Sequence, residues 1–115
     1  MAREVSEPMK CPRCSESKLA LAREKSTGIE VAQCPKCQGL WFRGGDLAKL
    51  LRLPAQLFQI PANTLHVGRR CPICAIRLSA FRFPNSLFEI EVCEKCGGLW
   101  LDEGEYEQIR ALQRR

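Results

Sequence analysis

The cysteines constrain this chain more than any other feature. All eight occur in Cys-x-x-Cys pairs, and the pairs form two near-copies of one pattern, at Cys11, Cys14, Cys34 and Cys37 and at Cys71, Cys74, Cys93 and Cys96. A Cys-x-x-Cys turn directs two sulfurs toward a common point. Two such turns joined by about 15 to 20 residues close a tetrahedral four-thiolate site. The spacing therefore predicts two structural Zn²⁺ ions.

The repeat extends beyond the cysteines. A shift of 59 residues places CPKCQGLW at 34–41 on CEKCGGLW at 93–100, Gly45 on Gly104 and Leu50 on Ile109. An internal duplication of this kind means that one structural unit is used twice. Because a repeated unit should carry a complete site, we expect the first four cysteines to bind one ion and the last four the other. The alternative, a cross-brace, would pair alternate turns.

Each unit is predicted to contain a β-hairpin followed by a short helix. Residues 19–23 and 78–83 are the expected first strands, and return strands follow at 29–31 and 88–92, where apolar and polar residues alternate. The helices carry apolar stripes at three-residue spacing, and Arg110, Arg114 and Arg115 lie at the far end of the second helix. Pro54 is predicted to end the first helix.

Three segments follow from this pattern, namely the first unit at 1–53, a linker at 54–70 and the second unit at 71–115. The linker contains Leu57, Phe58, Ile60, Leu65 and Val67. We expect it to pack against one or both units as an extended segment, because exposed apolar runs are uncommon in monomers. The alternative is a surface for a partner.

The length of the chain makes metal necessary. Half of 115 residues cannot build a stable core alone, whereas one structural zinc site supplies about 10–16 kcal/mol of apparent binding energy in peptides. The charged N-terminal stretch and the lack of a long apolar run predict a cytoplasmic protein, in which thiols stay reduced. A secreted disulfide scaffold is the alternative reading of the cysteines.

The formal charge of +5 overstates how basic the protein is. Eight thiolates and two Zn²⁺ ions bring the total to about +1. By the same count the first unit is about +2, the linker +2 and the second unit about −3, which favours self-association as well as a protein partner. Phosphate contact is the alternative use of the cations Lys10, Arg13, Lys18, Lys36, Arg43, Arg69 and Arg70.

The run Cys93-Glu-Lys-Cys-Gly-Gly-Leu-Trp-Leu-Asp-Glu-Gly-Glu105 resembles the bacterial transcription-factor-IIB-type zinc-finger family. The first unit departs from that pattern at Gln38 and at 42–46, and together the two matches cover 10–53 and 70–112. The resemblance implies a small metal-stabilised α+β fold with two tandem zinc ribbons. Each ribbon is then a β-hairpin with two Cys-x-x-Cys knuckles followed by a short helix.

We expect a zinc-binding protein that acts as a macromolecular interaction module, favouring protein as the partner over nucleic acid. We expect no enzymatic activity, because catalytic zinc usually has His or carboxylate ligands and one open position. The sole histidine, His66, lies in the linker and is expected to be a surface or packing residue. A redox role for the cysteine pairs is the competing chemistry. Trp41 and Trp100 are expected to pack beside the metal sites rather than to stack on bases.

Overall fold

The computed structural model describes residues 9–113, in which seven strands form one antiparallel sheet. In chain order the strands are β1 (Ala20–Arg23), β2 (Glu30–Gln33), β3 (Leu40–Phe42), β4 (His66–Arg70), β5 (Arg77–Arg82), β6 (Glu89–Val92) and β7 (Leu99–Leu101). Across the sheet their order is β1-β2-β3-β7-β6-β5-β4. The helices are α1 (Asp46–Leu51) and α2 (Glu105–Gln113), with a 3-10 helix at Ala55–Phe58. Both α-helices are too short to cross a membrane.

The two units meet at the centre of the sheet. Strand β3 of the first unit pairs antiparallel with β7 of the second, and Trp41 lies directly opposite Trp100. Since these two residues are equivalent in the repeat, the pairing relates the units by an approximate twofold axis. The linker strand β4 extends the second unit at one edge of the sheet through β5. The two ribbons therefore share one sheet instead of folding as separate beads.

The two faces of the sheet are covered differently. On one face, which we call the helix face, Phe42, Leu99 and Leu101 pack with Leu47 of α1 and Ile109 of α2. The opposite face, which we call the metal face, carries both tryptophans beside the cysteines. Successive residues of a strand point to opposite faces, so the three residues of β3 and of β7 contribute to both layers.

The predicted hairpins are present, within one or two residues of their expected bounds, but the third strand of each unit was not predicted. Strands β3 and β7 have only three residues each, and β7 is buried along its whole length. A short strand covered on both faces has no alternation of apolar and polar residues. The sequence signal on which the hairpin prediction depended is therefore missing at these two strands.

Part of the linker packs against the core, and only part of it is a strand. Leu57, Phe58 and Ile60 contact the core of the helix face, and an extended strand begins only at His66. Leu65 contradicts the prediction, because 81% of it is exposed.

Helix α1 ends before the predicted Pro54. Arg52 takes a left-handed conformation, and its N–H bonds to the carbonyl oxygens of Ala48 and Lys49, which closes the helix. Residues 114–115, predicted to lie at the end of α2, are outside the described residues, as are residues 1–8 of the first unit.

Candidate metal centres

The eight cysteines form two clusters, each built from four consecutive cysteines of the sequence. The Sγ atoms within each cluster lie within 4.8 Å of one another, and no other such group of ligands occurs among the described residues. The sequential grouping is thus confirmed. The eight ligand candidates are Cys11, Cys14, Cys34 and Cys37 in the first unit and Cys71, Cys74, Cys93 and Cys96 in the second.

The distances between sulfurs fit zinc and exclude disulfides. Four sulfurs held about 2.3 Å from a tetrahedral ion lie about 3.8 Å apart, whereas bonded sulfurs lie about 2.05 Å apart. The Sγ atoms of Cys11 and Cys37 are 3.7 Å apart, and those of Cys71 and Cys96 are 3.8 Å apart. All eight thiols are free of disulfide bonds. The two clusters are therefore compatible with two structural zinc ions.

Backbone N–H groups in every knuckle donate to a sulfur. The N–H groups of Arg13 and Cys14 lie 3.3 and 3.2 Å from the Sγ of Cys11, and Ile73 and Cys74 repeat these distances at Cys71. Donors of this kind stabilise negative charge on a thiolate. The knuckles thus fix the positions of the sulfurs and supply part of the charge balance that a metal-bound thiolate needs.

Each knuckle turns through a left-handed residue placed directly after its second cysteine. These residues are Ser15, Gln38, Ala75 and Gly97, with φ angles of 59°, 66°, 65° and 76°. Only the fourth of these residues is a glycine, the type that adopts this conformation without strain. A left-handed conformation costs a non-glycine residue about 1–2 kcal/mol, so three of the knuckles hold a strained residue in place.

Within each cluster the thiols ionise unequally. Burial raises the pKa of Cys11 to about 12, and burial likewise raises the pKa of Cys71 to about 12. Burial also opposes ionisation of Cys34, but the Ser17 hydroxyl and the N–H groups of Cys37 and Lys36 outweigh it and lower its pKa to about 6. Four adjacent thiols cannot all ionise without a cation, because their negative charges repel one another. A divalent metal ion bound among them favours the ionised form of all four.

The two tryptophans cover the metal face in a reciprocal way. Trp41 and Trp100 are 2% and 0% exposed, which confirms that they pack beside the cysteines. Each ring lies on a glycine of the other unit, because a Cβ on Gly39 would stand 2.1 Å from a ring carbon of Trp100, and one on Gly98 would stand 2.1 Å from Trp41. These glycines are required for space, a role that the sequence analysis missed.

Arg69 of the linker and two carboxylates of the second unit form a charged network. Arg69 Nη1 lies 2.7 Å from Glu91 Oε2 and 3.0 Å from Asp102 Oδ1, and the same Asp102 oxygen accepts a 3.0 Å hydrogen bond from Trp100 Nε1. Glu105 accepts from the backbone N–H of Asp102 at 2.8 Å. Burial raises the pKa of Glu91 to about 7, although the Arg69 guanidinium beside it opposes the shift.

The first unit has no counterpart of that network. Arg43 stands at the repeat position of Asp102, and Ala32 at that of Glu91. As a result the Trp41 indole N–H is buried and has no hydrogen-bond acceptor among the described residues. Beside its tryptophan, the metal face therefore has a charged network in the second unit but not in the described residues of the first.

The structure separates the seven basic residues that the sequence grouped as candidate phosphate contacts. Arg69 is held by the two carboxylates, and Arg43 is exposed and lines a cleft beside α1. Lys10 faces Lys18 in a β-bridge, and Arg70 Nη1 donates to the carbonyl of Ala75 at 2.9 Å. The other two, Arg13 and Lys36, lie in knuckles of the first unit.

Burial and position show which other aromatic and polar side chains could contact a partner. Phe42, Phe81 and Phe83 belong to the buried core, so they are not available for stacking on bases, and Phe88 is only half-buried. His66 lies 3.2 Å from Glu94 on the surface and is in neither cysteine cluster. Ser17, whose hydroxyl lies 3.3 Å from the Cys34 Sγ, was not singled out, although a hydroxyl three residues after a knuckle cysteine is a signal that could have found it.

The comparisons with known proteins agree with this geometry. The model of the transcription factor zinc-finger family, a TFIIB-type zinc ribbon, matches residues 10–53 and again residues 70–111. Each matched region holds one complete cysteine cluster, and together they span most of the chain. No curated protein and no solved structure matches. The chain therefore belongs to the transcription factor zinc-finger family, as two tandem copies of its zinc ribbon.

Proposed function

We propose that this protein is a non-catalytic interaction module that binds another protein. The two zinc ribbons form its frame, and neither metal centre takes part in chemistry. Both clusters offer four thiolates, which fills the tetrahedral coordination of zinc and leaves no position for a substrate. This feature supports a structural role for both ions.

The observation that carries the proposal is an open apolar cleft, which we call the α1 cleft. It lies on the helix face between α1, the 3-10 helix and the second knuckle of the second unit, and it measures about 420 Å³. Its lining includes Arg43, Leu47, Ala48, Phe58, Ile60 and Leu99, together with the polar residues Gln59 and Glu94. Clefts of this size and lining bind apolar groups, whereas a phosphodiester backbone needs cations.

The distribution of charge also supports a protein partner. The knuckles and their flanks carry seven cations and two acids, Lys10, Arg13, Lys18, Lys36, Arg70, Arg77 and Lys95 against Glu16 and Glu94. Two zinc-bound four-thiolate centres add about −4 at the same end of the molecule. The cations are thus balanced by the metal centres beside them, which leaves about one positive charge for phosphate.

Nucleic-acid binding is the second candidate function, and one observation favours it. Lys10 pairs with Lys18 across a β-bridge, and Arg70 pairs with Arg77 at the equivalent place in the second unit. Like charges directly opposite each other destabilise a sheet. An anion bound between the first knuckles would explain why such a pair of cations occurs in both units. This explanation applies only if the negative charge of the metal centres does not already offset the repulsion within each pair.

The test compares three baits in affinity capture from an extract of the source organism, namely the zinc-loaded protein, Ala48→Glu and Arg77→Glu. Ala48→Glu introduces the residue that the second unit carries at the equivalent position, Glu107, so the fold should be retained. We expect proteins to be captured after nuclease treatment by the unmodified protein and by Arg77→Glu but not by Ala48→Glu.

A mobility-shift titration with DNA and RNA at several salt concentrations completes the test. Tight binding with a steep dependence on salt, lost in Arg77→Glu, would favour the second candidate instead. If capture withstands nuclease but is equal for all three baits, protein binding stands and the α1 cleft is not its site.

A further inference from the structure

We infer that the α1 cleft binds an aromatic side chain of the partner protein, within a segment whose neighbouring residues are acidic. This inference deepens the proposed function and depends on it. It rests on the shape of the cleft, on its repeat-related counterpart and on the charge at its mouth.

The walls of the cleft come from both units and from the linker. Leu47 and Ala48 of α1 form one side, Phe58 of the 3-10 helix forms a second, and Leu99 with Gly97 of the second unit forms the third. Leu47, on a helix packed against the sheet, and Leu99, in strand β7 of the sheet, are buried core residues. The cleft is therefore preformed, and binding need not order its walls, which reduces the entropic cost of binding.

The repeat indicates what kind of group fits. Tyr106 is the residue of α2 equivalent to Leu47 of α1, and its ring stacks on Phe42 with centroids 6.0 Å apart and planes inclined by 23°. At the place equivalent to Phe42 the second unit has Leu101. One side of the molecule thus packs an aromatic pair where the other side has two leucines, of which Leu47 lines the open cleft. An aromatic side chain of a partner protein would occupy the cleft and supply the aromatic ring that the α1 side lacks.

The charges at the mouth indicate the neighbours of that aromatic residue. Arg43 lines the cleft and is exposed, and none of the ion pairs among the described residues includes it. Glu94, on the opposite side, lies 3.2 Å from His66. Among the described residues Arg43 is therefore the charged group at the mouth that has no partner, whereas Glu94 has the His66 ring, and a carboxylate next to the aromatic anchor would pair with Arg43.

The experiment uses capped tripeptides as probes of the full zinc-loaded chain. The probes are Asp-Phe-Asp, Lys-Phe-Lys and Asp-Ala-Asp, titrated into the millimolar range against ¹⁵N-labelled protein. We expect Asp-Phe-Asp to shift the amide signals of Leu47, Ala48 and Leu99. It should bind about fivefold more tightly than Lys-Phe-Lys, the discrimination that an exposed charge pair provides. Asp-Ala-Asp should cause no shifts there.

Arg43→Glu is the matched charge-reversal variant. Arg43 is exposed, so the variant should fold. We expect it to prefer Lys-Phe-Lys over Asp-Phe-Asp. Ala48→Glu should abolish binding of both, because it places a charged side chain in the cleft.

Three results would overturn the inference. The first is the absence of shifts at the cleft with any probe, and the second is equal binding of the two charged probes to both proteins. The third is movement of the same signals with protein concentration alone, which would make a second copy the occupant. If the probes fail while capture of a partner depends on another surface, protein binding survives and only this assignment falls.

Discussion

The two ribbons share a backbone plan but stabilise the metal face in different ways. In the second unit Asp102 joins Arg69 to the Trp100 indole, whereas in the first unit the equivalent residue is Arg43 and the Trp41 indole N–H has no acceptor. A buried donor without a partner costs about 1–3 kcal/mol. The repeated fold therefore does not require the network. What both units keep is the cysteine cluster and the reciprocal contact of tryptophan with glycine.

The largest expected effect comes from removing one metal centre at a time. Cys34 and Cys93 are equivalent, and both are fully buried. We expect Cys34→Ser and Cys93→Ser each to reduce bound zinc from two ions to one per chain and to remove most of a contribution of about 10–16 kcal/mol. Elemental analysis gives the zinc content, and ¹H–¹⁵N spectra show which unit loses structure.

The same pair of variants tests whether the units differ in their dependence on metal. Because the second unit also has its charged network and the strand β4, it should keep more native signals in Cys34→Ser than the first unit keeps in Cys93→Ser. Equal losses in the two variants would mean that the network adds nothing. If each variant lost native signals only in the unit that carries the substitution, the β3–β7 pairing would not be important for stability.

The next effect concerns the reciprocal contact of tryptophan and glycine. We expect Gly39→Ala and Gly98→Ala each to destabilise the protein by about 3 kcal/mol, because the added Cβ would lie 2.1 Å from a tryptophan ring carbon. Gly68→Ala is the matched control, since nothing lies within 4 Å of its Cβ. Chemical denaturation of the zinc-loaded proteins measures the effect. If Gly39→Ala or Gly98→Ala were no less stable than Gly68→Ala, the tryptophan ring would be shown to move aside easily.

A smaller effect is expected when the network is removed from one unit or offered to the other. Asp102→Ala should cost about 2 kcal/mol, because it leaves Arg69 and the Trp100 indole without their shared acceptor. Arg43→Asp should stabilise the first unit by about 1 kcal/mol by giving the Trp41 indole an acceptor. The free energy of unfolding and the chemical shift of the indole proton report both changes. Destabilisation by Arg43→Asp would refute the proposed equivalence of the two positions.

The smallest effect is on the pH dependence of stability. Burial raises the pKa of Glu105 from 4.5 to about 7, so between these values the folded protein binds more protons at this group than the unfolded chain. Its contribution is present below pH 4.5 and lost as the pH rises through 7.

Glu105→Gln keeps an oxygen for the Asp102 N–H and removes the titration. Relative to the unmodified protein, we expect the variant to gain stability as pH rises from 5 to 7. The comparison uses denaturation curves of both proteins with zinc in excess, so that metal binding contributes equally. If the stability of the variant and that of the unmodified protein changed in the same way with pH, the raised pKa of Glu105 would be contradicted.

The metal centres could be predicted from the sequence because their ligands are close in sequence and the spacing itself is the signal. Cys11 and Cys14 are joined by one turn, and the repeat assigns each cluster its four ligands. The pairing of β3 with β7 could not be predicted, since it joins residues about sixty positions apart through strands of only three residues. A strand buried on both faces gives no periodic pattern.

Charged residues were the least predictable part of the site. Arg69 was grouped with cations available to phosphate, yet its partner Asp102 lies 33 residues away, and sequence does not reveal whether an arginine is free or paired. From sequence alone a glycine such as Gly39 would be given a conformational role, because glycine usually serves one. Its actual role, to leave room for a ring of the other unit, depends on the same long-range pairing that the sequence concealed.

The meeting of Trp41 with Trp100 has a consequence for how such a molecule can vary. Equivalent strands that pair about a dyad form an isologous contact, the kind that closes a homodimer. A shorter chain with a single ribbon would complete the same sheet with a second copy of itself, and every substitution would then appear on both sides. Within one chain each half changes alone, so this protein can hold an arginine and an aspartate at mirrored places and present two dissimilar surfaces on one symmetric frame.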